Sequence, residues 1–123
     1  MDWWNNLRLR SKDPRARRKA IESLDLEREV EPAMFELLAA SLDDEDSLVR
    51  AAAAKALGAI QNDRSAELLI PRLRDARPEV RQAAAAALGH LGDGRATGQV
   101  AAALNDASAE VRHSAAIALR SVE

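Results

Sequence analysis

The sequence contains no cysteine, which excludes disulfides and thiolate metal sites. Aromatic residues are nearly absent as well: Phe35 is the single phenylalanine, and Trp3 and Trp4 both stand at the extreme start. An interior must therefore be built from Ala, Leu, Ile and Val, and side chains that small favour helices packed at close range. Long hydrophobic runs are missing too. The longest nearly apolar stretch, residues 51–60, contains Lys55 and falls well short of the roughly 20 residues that a membrane-spanning helix requires. The opening MDWWNN lacks the basic-then-apolar order of a secretory signal. There is little excess charge of either sign; a net charge of −2 gives no reason to expect phosphate backbones as partners. Together these absences lead to the expectation of a soluble, cytoplasmic chain with no membrane contact.

What the chain does have is a period. Residues 49–58 read VRAAAAKALG, residues 80–89 VRQAAAAALG and residues 111–120 VRHSAAIALR, at an interval of 31 residues each time. A fixed interval of that length is the signature of stacked repeats, each one unable to bury its apolar face alone. The register extends beyond the string: Leu42, Leu73 and Leu104 are equivalent, as are Asp44, Asp75 and Asp106, and Arg50, Arg81 and Arg112. Aligning Arg17 with Arg50 puts Ala16, Ala20 and Leu24 on Val49, Ala53 and Leu57, a diverged first copy with a longer loop.

Each copy reads as two helices. Asp13 and Pro14 start the first, an N-cap followed by a proline whose missing N–H costs nothing in the first turn; it runs to about residue 24, and its partner covers about residues 31–42 with Phe35, Leu38, Ala39 and Leu42 inward. The second copy opens at Asp46 and Ser47, with Gly58 read as part of its helix stop. Its second helix covers about residues 65–74, with Pro71 expected to bend it. The third opens at Pro78, stops around residues 89–94, and continues over about residues 95–104 with Thr97, Val100, Ala101 and Leu104 inward. A last first-type helix covers about residues 109–122.

The expected fold is therefore all-α: an α-α superhelix, or solenoid, of stacked antiparallel helical hairpins. It divides into a capping helix at 1–12 carrying Trp3, Trp4, Leu7 and Leu9, repeats at 13–45, 46–76 and 77–107, and a half repeat at 108–123. The final helix leaves Ile117, Leu119 and Val122 uncovered. Three accounts fit that open end: a longer array, an end-to-end homo-oligomer through this helix, or a cap made by Arg120 and Ser121.

These residues resemble HEAT repeats of the short subfamily named for phycobilisome lyases. Its pattern is an Asp, six positions on an Arg preceded by Val, an Ala-rich helix closing Ala-Leu-Gly, then Gly-Asp and a second helix. The matching pairs are Asp44 with Arg50, Asp75 with Arg81 and Asp106 with Arg112, and the Gly-Asp is Gly92 with Asp93. The resemblance covers about residues 13–123 and implies that Asp and Arg bond along the stack. A planar guanidinium in the first turn of a helix can reach turn carbonyls and carboxylates of its own and a neighbouring repeat. We read these six residues as a structural ladder, because periodic equivalence suits a scaffold and not a single active site. Ser11 replaces the Asp in the first copy, so the ladder is expected to be weaker there.

No convergent reactive set emerges. His90 and His113 occupy different repeat positions, and neither is followed by the Glu of the His-Glu pairs in the iron hydroxylase built from similar repeats. The acidic run 43–46 lacks the Gly and distal Glu of a calcium loop. Gly89, Gly92 and Gly94 follow no strand and precede no suitably placed Lys, and no serine has a base at a recognisable spacing. The reading is of a chain that is not an enzyme and has no catalytic residue, metal or cofactor. Arg8, Arg10, Lys12, Arg15, Arg17, Arg18 and Lys19 beside two tryptophans suit nucleic acid, but the cluster occurs once and an acidic stretch follows it, so nucleic acid ranks low.

Function is expected in a surface. The resemblance puts the second helices on the concave side of the array, where a protein partner would meet Glu36, Leu37 and Ser41 of the first copy, Glu67, Leu68 and Arg72 of the second, and Gln99 and Ala103 of the third. Leu37, Leu68 and Gln99 are equivalent by period; the competing role for the leucines is packing between second helices. The leading expectation is a non-catalytic protein–protein interaction scaffold. The resemblance also implies an alternative, an accessory subunit of an enzyme such as a phycobilin lyase, and the basic cluster a third, a nucleic-acid-binding module.

Overall fold

The computed structural model describes residues 8–121. The capping helix expected at 1–12 lies mostly outside them, as does Val122; Leu9, at the edge, is buried against the core. The described residues form only helices and their connections. In chain order α1 is Pro14–Glu22, α2 Pro32–Ser41, α3 Ser47–Ala59, α4 Ser65–Leu69, α5 Pro78–Leu91, α6 Thr97–Ala102 and α7 Ala109–Leu119; α4 runs on into a 3₁₀ helix at Ile70–Arg74, and α6 is flanked by 3₁₀ turns at Gly94–Ala96 and Ala103–Asn105.

Helix starts follow local chemistry. Asp13 accepts from the Arg15 N–H, Asp46 from those of Leu48 and Val49, and Ser108 from that of Val111, each satisfying donors that a first turn leaves open. Pro32 and Pro78 instead stand in the first turn of α2 and α5, which carry no side-chain cap.

The first-type helices α1, α3, α5 and α7 pack side by side in sequence, each pair of neighbours touching directly. Their shared interior is Ala53, Leu57, Ala84, Ala85, Leu88 and Ala115, all fully buried. Gly58 and Gly89 explain how closely the helices approach. They are not helix stops; both lie inside helices. A Cβ on Gly58 would sit 2.5 Å from the Ala87 Cβ, and one on Gly89 2.7 Å from the Ala118 Cβ. The stops are elsewhere. Ile60 leaves α3 in an extended conformation, and Gly92 ends α5 at φ 65°, the left-handed value that glycine adopts freely.

The second-type helices depart from expectation twice. Pro71 does not bend a continuous helix: the α-helical pattern ends at Leu69 and the chain tightens into the 3₁₀ helix, with the proline in its first turn where no donor is needed. In the third copy Thr97, Ala101 and Leu104 were expected inward but are exposed, Leu104 by 39%, while Ala96, Val100 and Ala103 are buried. Leu42 and Leu73, the equivalents of Leu104, are buried with a further hairpin stacked beyond them; among the described residues α6 has α7 alone beyond it.

Candidate functional site

Arg50 and Arg81 stand in the first turn of first-type helices and reach in two directions, whereas Arg112, at the same place in α7, donates among the described residues to the Asp106 and Ala107 carbonyls. The Arg50 Nη1 donates back to the Asp44 and Glu45 carbonyls at 2.8 and 3.2 Å, while its Nε and Nη2 donate forward to the two Asp75 carboxylate oxygens, both at 3.0 Å. Arg81 repeats the arrangement with the Asp75 carbonyl at 2.8 Å and the Asp106 carboxylate at 2.8 and 3.1 Å. The carboxylate partner thus comes from the turn that closes the arginine's own repeat, and the Asp that closes the preceding repeat contributes its main chain. These parallel two-bond pairs are the strongest geometry available to Arg and carboxylate, and they are largely shielded: the Arg50 and Asp75 side chains are 15% and 7% exposed.

Arg17 belongs to the same series. Its Nη1 donates to the Ser11 carbonyl at 2.7 Å, and its Nε and Nη2 to the Asp44 carboxylate at 2.8 and 3.0 Å. The weaker first rung expected from Ser11 is therefore not found, because what the arginine needs from that position is a backbone carbonyl, which any residue supplies. The Ser11 hydroxyl also takes the second task of the Asp, accepting from the Asp13 N–H as Asp44 does from Asp46 and Asp75 from Arg77.

The ladder sets the charge state of its members. Burial pushes the Asp44 and Asp75 carboxyls up, but the bonded guanidiniums of Arg17 and Arg50, with a backbone N–H each, outweigh it and hold both below the ordinary 3.8. Bonding to Arg81 does the same for Asp106, against a smaller burial cost. Bonding to Asp44 and Asp75 raises Arg17 and Arg50 correspondingly.

The eight candidate contact residues of the second-helix row divide. Leu37 and Leu68 are half-buried, packed on the core with one side in water. Glu67 and Gln99 are exposed. Glu36 pairs with Arg64 of the next repeat, and Arg72 donates to Asp43 of the previous one at 2.6 Å. The Ser41 hydroxyl donates to the Leu37 carbonyl at 2.9 Å. Ala103 leaves the set, since it is buried at 7% exposure. Sequence reasoning missed the two cross-repeat ion pairs, whose only trace is opposite charges a little under one period apart. A groove on the other row was missed as well: a volume of about 540 Å³ between α3 and α5, lined by Lys55, Gly58, Gln82, Ala83, Ala86 and His90 among others.

No group of three or more His, Cys, Asp and Glu side chains among the described residues is placed to hold a metal ion. Within the basic cluster Arg17 is committed to Asp44, and Arg15 and Arg18 pair with Asp13 and Glu22. No helix of the described residues is long and apolar enough to cross a membrane.

The sequence pattern of HEAT repeats matches residues 2–77 and 66–123, and the chain belongs to that family. Curated proteins give no sequence match. Solved structures do share the fold. Human deoxyhypusine hydroxylase, in complex with glycerol, superposes with a TM-score of 0.77 at 26% identity over 97% of this chain and 42% of that one. An engineered protein gives 0.72 at 25% identity, over 99% and 63%. The complex of CpcE and CpcF of phycocyanin lyase from a Nostoc species gives 0.68 at 23% identity, over 96% and 63%, a likeness of fold alone. The chain spans less than two thirds of each of these relatives.

Proposed function

We propose that this helical-repeat protein is a non-catalytic scaffold that binds a protein partner along the row of second helices, centred on Leu37, Leu68 and Gln99. The observation that carries the reading is the pair Leu37 and Leu68. Each keeps part of an apolar side chain in water at an equivalent place in successive repeats, and cross-repeat ion pairs flank them. An apolar centre with a polar rim is the usual anatomy of a protein interface. The rim pairs are open to exchange, since exposed ion pairs contribute little where they are. The strongest charged groups, by contrast, are committed to the ladder, which supports a structural and not a chemical use for them.

The test compares Leu68→Glu with Ala86→Glu, an exposed position of α5 on the other row, in affinity capture from the source cell. The expected result is a specific partner held by the unchanged chain and by Ala86→Glu but lost with Leu68→Glu, whose melting temperature stays near that of the unchanged chain. Unfolding of Leu68→Glu would make the leucine core, and undiminished capture by a folded Leu68→Glu would move the interface elsewhere.

A further inference from the structure

The connection between the two helices of the first copy is longer than its counterpart in the second, and it is acidic. Residues 23–31 join α1 to α2, nine positions where the five of 60–64 join α3 to α4. The extra chain is tied down. Leu24, Leu26 and Val30 are half-buried and pack against the core, so the connection stands as a wall of the molecule. Its charged side chains stay in water: Asp25, Glu27, Glu29 and Glu31 are exposed, with Arg28 the one base among them.

Between this wall and the 60–64 turn of the next copy lies a cleft of about 710 Å³. Leu26, Val30, Pro32 and Ile60 line it with apolar surface, over Phe35 at 3% exposure. Glu27, Arg28, Glu29, Glu36 and Arg64 line it with charge. The two cations are already engaged, Arg28 with Asp25 at 3.5 Å and Arg64 with Glu36 while lying over the Phe35 ring. The Glu27 and Glu29 carboxylates, by contrast, meet no hydrogen-bond or ion-pair partner among the described residues. The cleft therefore combines an apolar floor with two unmatched negative charges. It lies outside the row of Leu37, Leu68 and Gln99, and of the eight candidate contact residues Glu36 alone lines it.

We infer that this cleft binds a short basic segment of another protein, with an apolar side chain seated over Leu26, Val30 and Ile60 and an adjoining Lys or Arg pairing with Glu27 or Glu29. Charge selects the occupant. Four carboxylates crowded onto nine residues repel one another in the folded chain, and a cationic ligand relieves that repulsion where an acidic segment or a phosphate backbone would add to it. The floor selects a peptide over a bare cation. A hydrated ion gains nothing from apolar surface, whereas a Leu or Ile side chain is stabilised in proportion to the area it covers. Lengthening a surface connection costs little in folding free energy, so one copy can carry a wall that the next does without.

The test follows the backbone amide signals of the full chain by ¹⁵N NMR while the blocked tripeptide KLK is added. The expected result is a saturable shift confined to the signals of residues 26–30 and 60–64, the two walls of the cleft, with a Kd on the order of millimolar for so small a ligand. The tripeptide KSK, which keeps the charge without the apolar side chain, should bind about fivefold more weakly, and ELE should leave the signals unmoved. The double variant Glu27→Gln, Glu29→Gln should also weaken KLK about fivefold, while melting no lower than the unchanged chain, because it loses repulsion and no bond. No saturable shift, shifts centred elsewhere, or KSK as strong as KLK overturns the site. So does a double variant that binds KLK as well as the unchanged chain does. A concentration-dependent dimer that the double variant dissolves would assign the cleft to the basic residues 8–19 of a second copy and overturn its assignment to another protein.

Discussion

The two rows of helices are built on different principles. In the first row α3, α5 and α7 run for 13, 14 and 11 residues and meet through alanine and glycine at backbone contact. In the second row α4 and α6 have 5 and 6 α-helical residues and finish in 3₁₀ turns, and ion pairs from Arg64 and Arg72, beside α4, reach back to Glu36 and Asp43 of the first copy. One row fixes spacing by shape, where a single methyl group decides the fit. The other tolerates change, because its contacts are long, polar and wet. The difference teaches where a repeat protein can vary its surface: opposite the row that sets its pitch.

The sharpest way to break that contrast is to add atoms to the first row. Glycine to alanine inside a helix ordinarily stabilises by about 1 kcal/mol. At Gly58 the sign should reverse, since the new Cβ would lie 2.5 Å from that of Ala87 and 2.7 Å from its Cα. Gly58→Ala is expected to lower the melting temperature, and Gly58→Val to cost about 3 kcal/mol in chemical denaturation. A neutral Gly58→Val would show that the first row is not close-packed.

Much of this was legible in advance, and what was not has a common cause. The 31-residue period pointed to the second and third hairpins and the last helix, and the alignment of Arg17 with Arg50 to the first, since apolar positions recur only if each repeat buries the same face. The ladder residues Asp44, Arg50, Asp75, Arg81, Asp106 and Arg112 stood out for the same reason, but not which Asp meets which Arg. The signal was in the sequence as the spacing of 25 from Arg50 to Asp75 and from Arg81 to Asp106, hidden behind the shorter spacing of six. Gly58 and Gly89 misled because glycine near a helix end serves equally as a stop and as a contact, and only the neighbouring helix distinguishes them. Leu104 misled because the hairpin that covers Leu42 and Leu73 has no counterpart over it among the described residues, and Ala103 because the 3₁₀ turn at Ala103–Asn105 packs it against α7.

The next effect in size belongs to the ladder, which ties the rows together. Asp75→Asn removes a carboxylate only 7% exposed and leaves the Arg50 fork facing an amide; we expect a loss of about 2 kcal/mol, below that of a fully buried pair. The same group sets a pH dependence. Asp44, Asp75 and Asp106 are all held below 3.8 in the folded chain, so their contribution is complete above that unfolded value and fades as pH falls through the lowered folded ones. The melting temperature should be level from neutral pH to about 5 and fall below about 4, and the fall should be shallower in an Asp44→Asn, Asp75→Asn variant. A fall centred near pH 6 would place the sensitive group outside the ladder.

Glycine in the second row gives the opposite sign at smaller size. Gly98 lies in α6, and a methyl group added there would meet nothing within 4 Å, so Gly98→Ala should stabilise by about 1 kcal/mol through helix propensity alone. A loss at this position would mean that the second row is packed as tightly as the first.

The smallest effect is the most discriminating between charge and burial. Glu36 and Arg64 form an Arg–carboxylate pair as the ladder residues do, but across two repeats and with side chains 58% and 52% exposed. Glu36→Gln is the informative variant, because Arg64 also lies over the Phe35 ring at 5.3 Å and truncating it would remove two contacts together. With water able to solvate both partners, the folded chain gains almost nothing from their attraction, and Glu36→Gln should leave the melting temperature unchanged at low and high salt. If it instead destabilises as Asp75→Asn does, exposure is not what separates the two rows, and the second row holds the stack in register as firmly as the first.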